Sequence, residues 1–286
     1  MHPALGLLAS RSTAQRGIKT KRRPVPQVGT IAFNLDKGNP MRKSILGLSA
    51  LALLASATPA FAEEEAAGPI TVSGSVGLVS DYRFRGFSQT RQNPAVQGGI
   101  TVTHESGFYV GTWGSNVDFP DLDGAGNGAT AEIDLFAGYG TELAPGISID
   151  VGLLYYLYPK DTVVKVSSDF FEPYVTLIGE LGPVTLKVGA NYAWEQDALG
   201  SSDAFYLRAD PSLAVPGTPL SVTGHLGYAT SDAFPGGVDG EVFDWSLGVS
   251  ASWQSLTFGV SYVDTDEPGQ IRGSDAAVVF SLSAAF

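Results

Sequence analysis

From position 70 onward, apolar side chains recur at every second residue through segments of about ten to fourteen residues, with small or polar residues between them. Alternation of period two sends successive side chains to opposite faces of an extended strand, so one whole face of each segment needs an apolar environment and the other a polar one. The clearest runs are Ile147, Ile149, Val151, Leu153, Tyr155 and Leu157; Val184, Leu186, Val188, Ala190, Tyr192 and Trp194; and Val278, Phe280, Leu282, Ala284 and Phe286. Twelve such segments can be counted, with ten and fourteen left open. The stretch from Ser202 to Pro211 alternates weakly, and Pro211 points to an early strand end or a bulge there.

The connections carry independent information. Tight turns are expected at residues 105–107, 144–146, 182–183 and 215–219 and around Gln254, and the links between them read as long and polar, so that short and long alternate without exception. A soluble sandwich has no reason to sort its loops by parity, whereas a membrane barrel does: every second turn faces the periplasm and the others project outside. No run of about 20 apolar residues lies beyond position 62, which excludes a helical membrane protein. The expected fold is therefore all-β, a transmembrane antiparallel up-and-down β-barrel of about twelve strands. Tyr82, Tyr155, Tyr158, Trp194, Tyr228 and Trp245 fall near the long-link ends of strands, and Trp253 falls near a tight turn. Their placement suits an interfacial girdle, with cross-strand aromatic pairing as the plainer alternative.

Beginning at Met41 the chain reads MRKSILGLSALALLASATPAFA: Arg42 and Lys43, an apolar run from Ile45 to Ala57, then small Ala60 and Ala62 at the two cleavage positions. This has the anatomy of a secretory signal and is too short to span a bilayer comfortably. The expected organisation is an upstream extension from a misassigned start over residues 1–40, a signal peptide over 41–62 cleaved near Ala62, a short periplasmic leader over 63–69 and the barrel over 70–286.

Charge must be counted on that division. The formal charge of the whole chain is −12, but the part after Ala62 holds eight basic against 28 acidic residues, a balance near −20. So acidic a chain has no Lys/Arg surface with which to replace the counterions of a nucleic acid, so no nucleic-acid partner is expected. Cysteine is absent, which removes disulfides, thiolate metal sites and thiol nucleophiles from consideration.

If the apolar alternates face lipid, the opposite set faces the lumen and includes Asp81, Arg83, Arg85, Glu132, Asp134, Asp150, Glu172, Glu180, Lys187, Arg208, Asp210 and His225. Two readings follow. A wall of carboxylates with a few basic groups favours cations along an aqueous path; or the charges pair and fill a narrow interior as packing. Arg83 and Arg85 are expected to lie against acidic wall residues such as Glu132 and Asp134 and to form a constriction, with anionic lipid headgroups as their competing partners.

Residues 121–128, DLDGAGNG, resemble part of a calcium loop, but Ala125 stands where an oxygen ligand belongs and no Glu occupies the twelfth position, so they read as an acidic loop. His104 and Ser106 have the spacing of a hydrolase pair on one strand face. They adjoin a tight turn with no acidic partner to orient the imidazole, and no enzymatic activity, metal or cofactor is expected.

The segment DYRFRGFSQT (81–90), followed by NPAVQGG (93–99), resembles the opening signature of the TorF-type porin family. GFYVGTWGSNV (107–117) and EIDLFAGYG (132–140) are similar to its next blocks. The resemblance covers the chain after the signal and implies an outer-membrane, channel-like protein of undefined solute. Residues and resemblance together lead to the expectation of an outer-membrane channel for passive diffusion of small solutes, with an acidic lumen that favours cations. A structural or interaction barrel with a plugged lumen is the alternative. The expected partners are outer-membrane lipids, small hydrophilic solutes or ions, and the barrel-assembly machinery through the C-terminal strand ending in Phe286.

Overall fold

In the computed structural model of the chain, the described residues are 68–119, 128–159, 168–200, 202–232, 239–267, 269 and 273–286. Residues 1–40, the signal at 41–62 and most of the acidic loop at 121–128 lie outside them.

Twelve strands close into one antiparallel barrel: β1 (Ile70–Val79), β4 (Ala95–His104), β5 (Phe108–Asn116), β6 (Ala131–Ala144), β7 (Ile147–Leu157), β8 (Phe170–Leu181), β9 (Val184–Gln196), β10 (Ser202–Ala214), β11 (Leu220–Ser231), β12 (Glu241–Trp253), β13 (Leu256–Thr265) and β14 (Ala277–Ala285). Two further pieces, β2 (Arg83–Phe84) and β3 (Phe87–Ser88), form a separate small hairpin in the link between β1 and β4. Each strand pairs with its neighbours in sequence. The seam is closed by β1 against β14, from Ser75 opposite Ala285 to Val79 opposite Ser281. At the end of the seam Phe286 exchanges two backbone hydrogen bonds with Gly74, of 2.8 and 3.0 Å. Its ring lies where a Cβ on residue 74 would sit, so glycine is the residue that admits it. Among the described residues, no helix is long and apolar enough to cross a membrane.

The alternation read from the sequence settles which way each strand faces. Val72, Val76, Leu78, Val110, Leu135, Val151, Leu153, Leu186, Val188, Val260 and Phe280 are exposed on the outside, an apolar belt that only hydrocarbon would favour. On the inside, carboxylates and aromatics are buried. Tyr155, Phe171 and Trp194 stack in a row on the outer face, with centroids 4.4 and 6.0 Å apart, as a girdle would. Tyr82 and Tyr158 do not belong to that girdle, since both line interior space.

The short connections occupy one end, at 105–107, 145–146, 182–183, 215–219 and 254–255. Each contains a residue at positive φ, glycine in four of them and Gln254 in the fifth. The strict sorting of link lengths does not hold, because β9 and β10 are joined at the other end by only residues 197–201, as short as the 215–219 turn. There a single 3-10 turn, Asp197–Leu199, ends on Gly200 at φ 65.

Pro211 does not end β10. It lies opposite Leu186 of β9, while toward β11 the ladder is interrupted between Ala209 and Ser212. The missing N–H therefore falls where no ladder bond is made. Pro173 has a similar effect on β8, whose pairing with β9 begins only at Tyr174. Beyond it, the Gln196 amide accepts from the Phe171 N–H at 2.8 Å and donates to its carbonyl at 2.9 Å, standing in for a strand partner.

Candidate pore and its constriction

The link from β1 to β4 folds into the barrel, and its sequence dictates how. Arg85 and Gly86, at φ 49 and 84, are the central residues of the β2–β3 hairpin, in which Arg83 faces Ser88 and Phe84 faces Phe87. Two positive φ values in succession are what a tight type I′ turn requires. Gly86 is also forced by proximity, since a Cβ there would stand 2.9 Å from the Asp244 Cβ on the wall.

Asp81 and Arg83 knot this link. Arg83 donates from Nε to Asp81 Oδ2 at 2.6 Å, and from Nη1 to the carbonyls of Gly86, Gly273 and Asp275 at 2.8 to 3.0 Å. The other Asp81 oxygen accepts from Ser88 Oγ at 2.6 Å and Thr90 Oγ1 at 3.2 Å. A buried ion pair anchored on further donors and acceptors this way, with only Arg83 Nη2 unpartnered, fixes geometry more than it adds net stability. Five residues of the 81–90 signature thus form the knot that turns the loop inward.

Arg85 at the hairpin tip reaches the far wall. Its Nη2 lies 2.5 Å from Glu172 Oε1, with both side chains buried, and its guanidinium lies over the rings of Phe84 and Tyr206 at 4.7 and 4.3 Å. Glu172 also accepts from Tyr156 Oη at 3.1 Å and Asn191 Nδ2 at 3.0 Å. Phe87 is buried with Tyr206, Ala229 and Val242 of the wall. The hairpin therefore crosses the lumen. It leaves a cavity of about 170 Å³ on one side and one of about 140 Å³ on the other, and Phe84 and Arg85 border both.

The expected pairing of Arg83 and Arg85 with Glu132 and Asp134 is corrected by these contacts: Arg83 takes Asp81 and Arg85 takes Glu172. Glu132 instead accepts from Tyr82 Oη at 2.9 Å. Among the described residues neither Glu132 nor Asp134 has an ion-pair partner, and Asp134 Oδ1 has no hydrogen-bond partner.

A second network lines the wall below. Arg208 pairs with Asp210 and donates to Thr176 Oγ1 at 3.0 Å. His225 bridges Asp210 Oδ1 at 2.5 Å and Asp244 Oδ1 at 2.9 Å, and Tyr206 Oη donates to Asp244 Oδ2 at 3.0 Å. Further round, Tyr109 Oη donates to Asp150 Oδ1 at 2.6 Å and meets the Tyr174 hydroxyl. Lys187 is half-buried on the same face, whereas Glu180, though it has inward parity, is exposed at the short-turn rim rather than placed in the lumen.

Inward glycines are not the open space their sequence suggests. The Tyr109 and Tyr174 hydroxyls occupy the places of a Cβ at Gly138 and Gly152, and the Arg208 guanidinium lies 3.0 Å from that of Gly189. Asp244, Trp113, Tyr156 and Asn191 are participants that were not singled out from the sequence. Their signal was inward parity on confirmed strands, which also marks them.

Among curated proteins, none matches the chain in sequence. Among solved structures, the NanC porin is 10% identical and aligns over 76% of this chain and 99% of its own with a TM-score of 0.51, so the two share the barrel fold. Less similar are the KdgM porin in complex with disordered oligogalacturonate, with 8% identity, 76% and 98% coverage and a TM-score of 0.46, and an outer membrane channel from Pseudomonas putida F1, with 9% identity, 77% and 96% coverage and a TM-score of 0.46. The signature-bearing residues lie within the span 63–286 that matches the bacterial family of unknown function Gcw_chp, and the chain belongs to that family.

Proposed function

We propose that this chain is an outer-membrane channel for passive diffusion of small hydrophilic solutes, narrowed by the inward hairpin of its first long link. The observation that carries the reading is the pair of cavities bordered on both sides by Phe84 and Arg85, inside a wall whose buried charged groups face inward. A barrel that only needed to be packed would fill that space with side chains. The TorF-type porin resemblance of the 81–90 segment agrees with it, as does the shared fold with a porin.

In this reading the short-turn end faces the periplasm, the signal at 41–62 directs export with cleavage near Ala62, and 63–69 is a short leader before the first strand. The belt meets outer-membrane lipid, and the terminal strand ending in Phe286 is what the assembly machinery engages. Glu132 and Asp134, which lack basic partners among the described residues, give the lumen its preference for cations. The second reading is a plugged barrel without transport, favoured by the Arg85–Glu172 contact that crosses the lumen. Planar-bilayer recording in a potassium chloride gradient separates the two. Unitary steps with a reversal potential on the cation side are expected; a silent, correctly folded protein would leave the plugged barrel.

A further inference from the structure

Around Asp134 the inner wall has a composition that neither packing nor conduction needs. Trp113 of β5, Asp134 of β6 and Tyr156 of β7 are consecutive partners in register, so their side chains share the inner face. Tyr82, from the inward link, sets its ring edge-on to Trp113 with centroids 5.4 Å apart. All four border the cavity of about 170 Å³.

Asp134 is 7% exposed and its Oδ1 has no hydrogen-bond partner. Glu132, two residues before it, shares the inner face of β6, and Tyr156, the register partner of Asp134, donates to Glu172 at 3.1 Å. Of these two glutamates, Glu172 is answered by Arg85 and Glu132 only by hydroxyl donation. Arg83, the other guanidinium bordering the cavity near this corner, is held by Asp81 and three carbonyls through Nε and Nη1, with only its Nη2 unpartnered. The corner is thus electronegative, aromatic on three sides, and holds a buried carboxylate oxygen without a donor.

Aromatic faces attract cations through their quadrupole, most strongly where water is displaced, and a carboxylate among them supplies the countercharge. A strongly hydrated sodium ion gains little from such walls. An alkylated ammonium, with its charge spread over an apolar surface, gains from both. We propose that Trp113, Tyr82, Tyr156 and Asp134 form a binding site for a small organic cation of the alkylammonium class. The inference rests on the channel reading for the ligand's route from a barrel mouth, and it assigns a solute class to that channel.

The test is isothermal titration calorimetry of the detergent-solubilised full barrel with tetramethylammonium chloride, against sodium chloride at equal ionic strength. Saturable binding of tetramethylammonium alone is expected. It should weaken roughly tenfold or more in Asp134→Asn, as loss of a charge-assisted contact implies, and severalfold in Trp113→Leu. Circular dichroism identifies folded variants, and either one suffices if the other fails to fold. Absence of saturable binding by the wild type, equal heats from sodium, or wild-type binding by folded variants would overturn the site. In those cases Trp113 Nε1 and Asp134 Oδ1, both unpartnered and facing across one register pair, complete the wall between themselves. Calorimetry needs no current, so the two readings fail separately: binding without conductance keeps the site and removes the channel, and conductance without binding does the reverse.

Discussion

The two arcs of the inner wall are built from opposite materials. From β5 to β12 the inward positions carry Trp113, Glu132, Asp134, Asp150, Tyr156, Glu172, Tyr174, Tyr206, Arg208, Asp210, His225 and Asp244, most of them tied in networks that cross strand boundaries. From β13 through β14 and β1 to β4 they carry Thr257, Gly259, Ser261, Ser281, Ser283, Ser73, Ser75, Gly77 and Gly99, and toward the inward link the apolar cluster of Val79, Ala95, Val263 and Val279, with no charge. The inward hairpin springs from the second arc, between β1 and β4, and reaches across to the first. Small side chains leave room on one side, and the charged arc supplies the partners on the other. The difference teaches that constriction here is a contact between a loop and one wall, and that free lumen should run along the hydroxyl side.

The contact between hairpin and charged arc is where the comparison breaks most readily. Glu172→Leu leaves the Arg85 guanidinium, the Tyr156 hydroxyl and the Asn191 amide without their shared acceptor. A loss of about 3–5 kcal/mol is expected in urea unfolding from lipid vesicles, the range for stranding one member of a buried pair. Arg83→Met removes the knot at the hairpin base while the barrel wall stays intact. About 2–3 kcal/mol should go, by the usual cost of unsatisfied charge-assisted bonds, and protease nicking between residues 80 and 94 should appear while the barrel core resists.

On the hydroxyl arc the balance of effects reverses. Ser261→Tyr meets no network, so its stability cost should stay within about 1–2 kcal/mol. It fills the path directly, and single-channel conductance should fall by roughly half or more. The smallest effect lies outside both arcs, in the 254–255 turn. Gln254 holds φ 54 where the four other short turns use glycine, and Gln254→Gly should stabilise by about 1 kcal/mol by relieving the left-handed strain. No change in thermal midpoint would show that the turn tolerates it freely.

Strand positions and facing were legible because period-two alternation is local: Ile147 to Leu157 states which residues go out without reference to any partner. The short turns were legible for the same reason, through Gly and Pro at fixed places. What stayed hidden depends on closure. Arg85 and Glu172 are 87 residues apart, and which wall the hairpin tip meets is set by barrel diameter and stagger, to which no local pattern refers. Tyr82 looked like a girdle residue because a loop residue has no parity, and the knot that turns it inward is built from Asp81, Arg83 and Ser88 together. Pro211 read as a strand end because its cost depends on whether its neighbour would have offered an acceptor, and that is a property of the β10–β11 ladder.

The central claim is that the lumen is an aqueous path narrowed by the crossing of Arg85 to Glu172. Single-channel recording of the wild type beside Arg85→Ala tests it most directly, since Glu172 keeps its Tyr156 and Asn191 donors in the variant. The expected result is a measurable wild-type step and a larger unitary conductance in Arg85→Ala, with reversal moved further toward cations by loss of the positive charge. Unchanged conductance and reversal in a folded variant, or silence in both proteins, would contradict it.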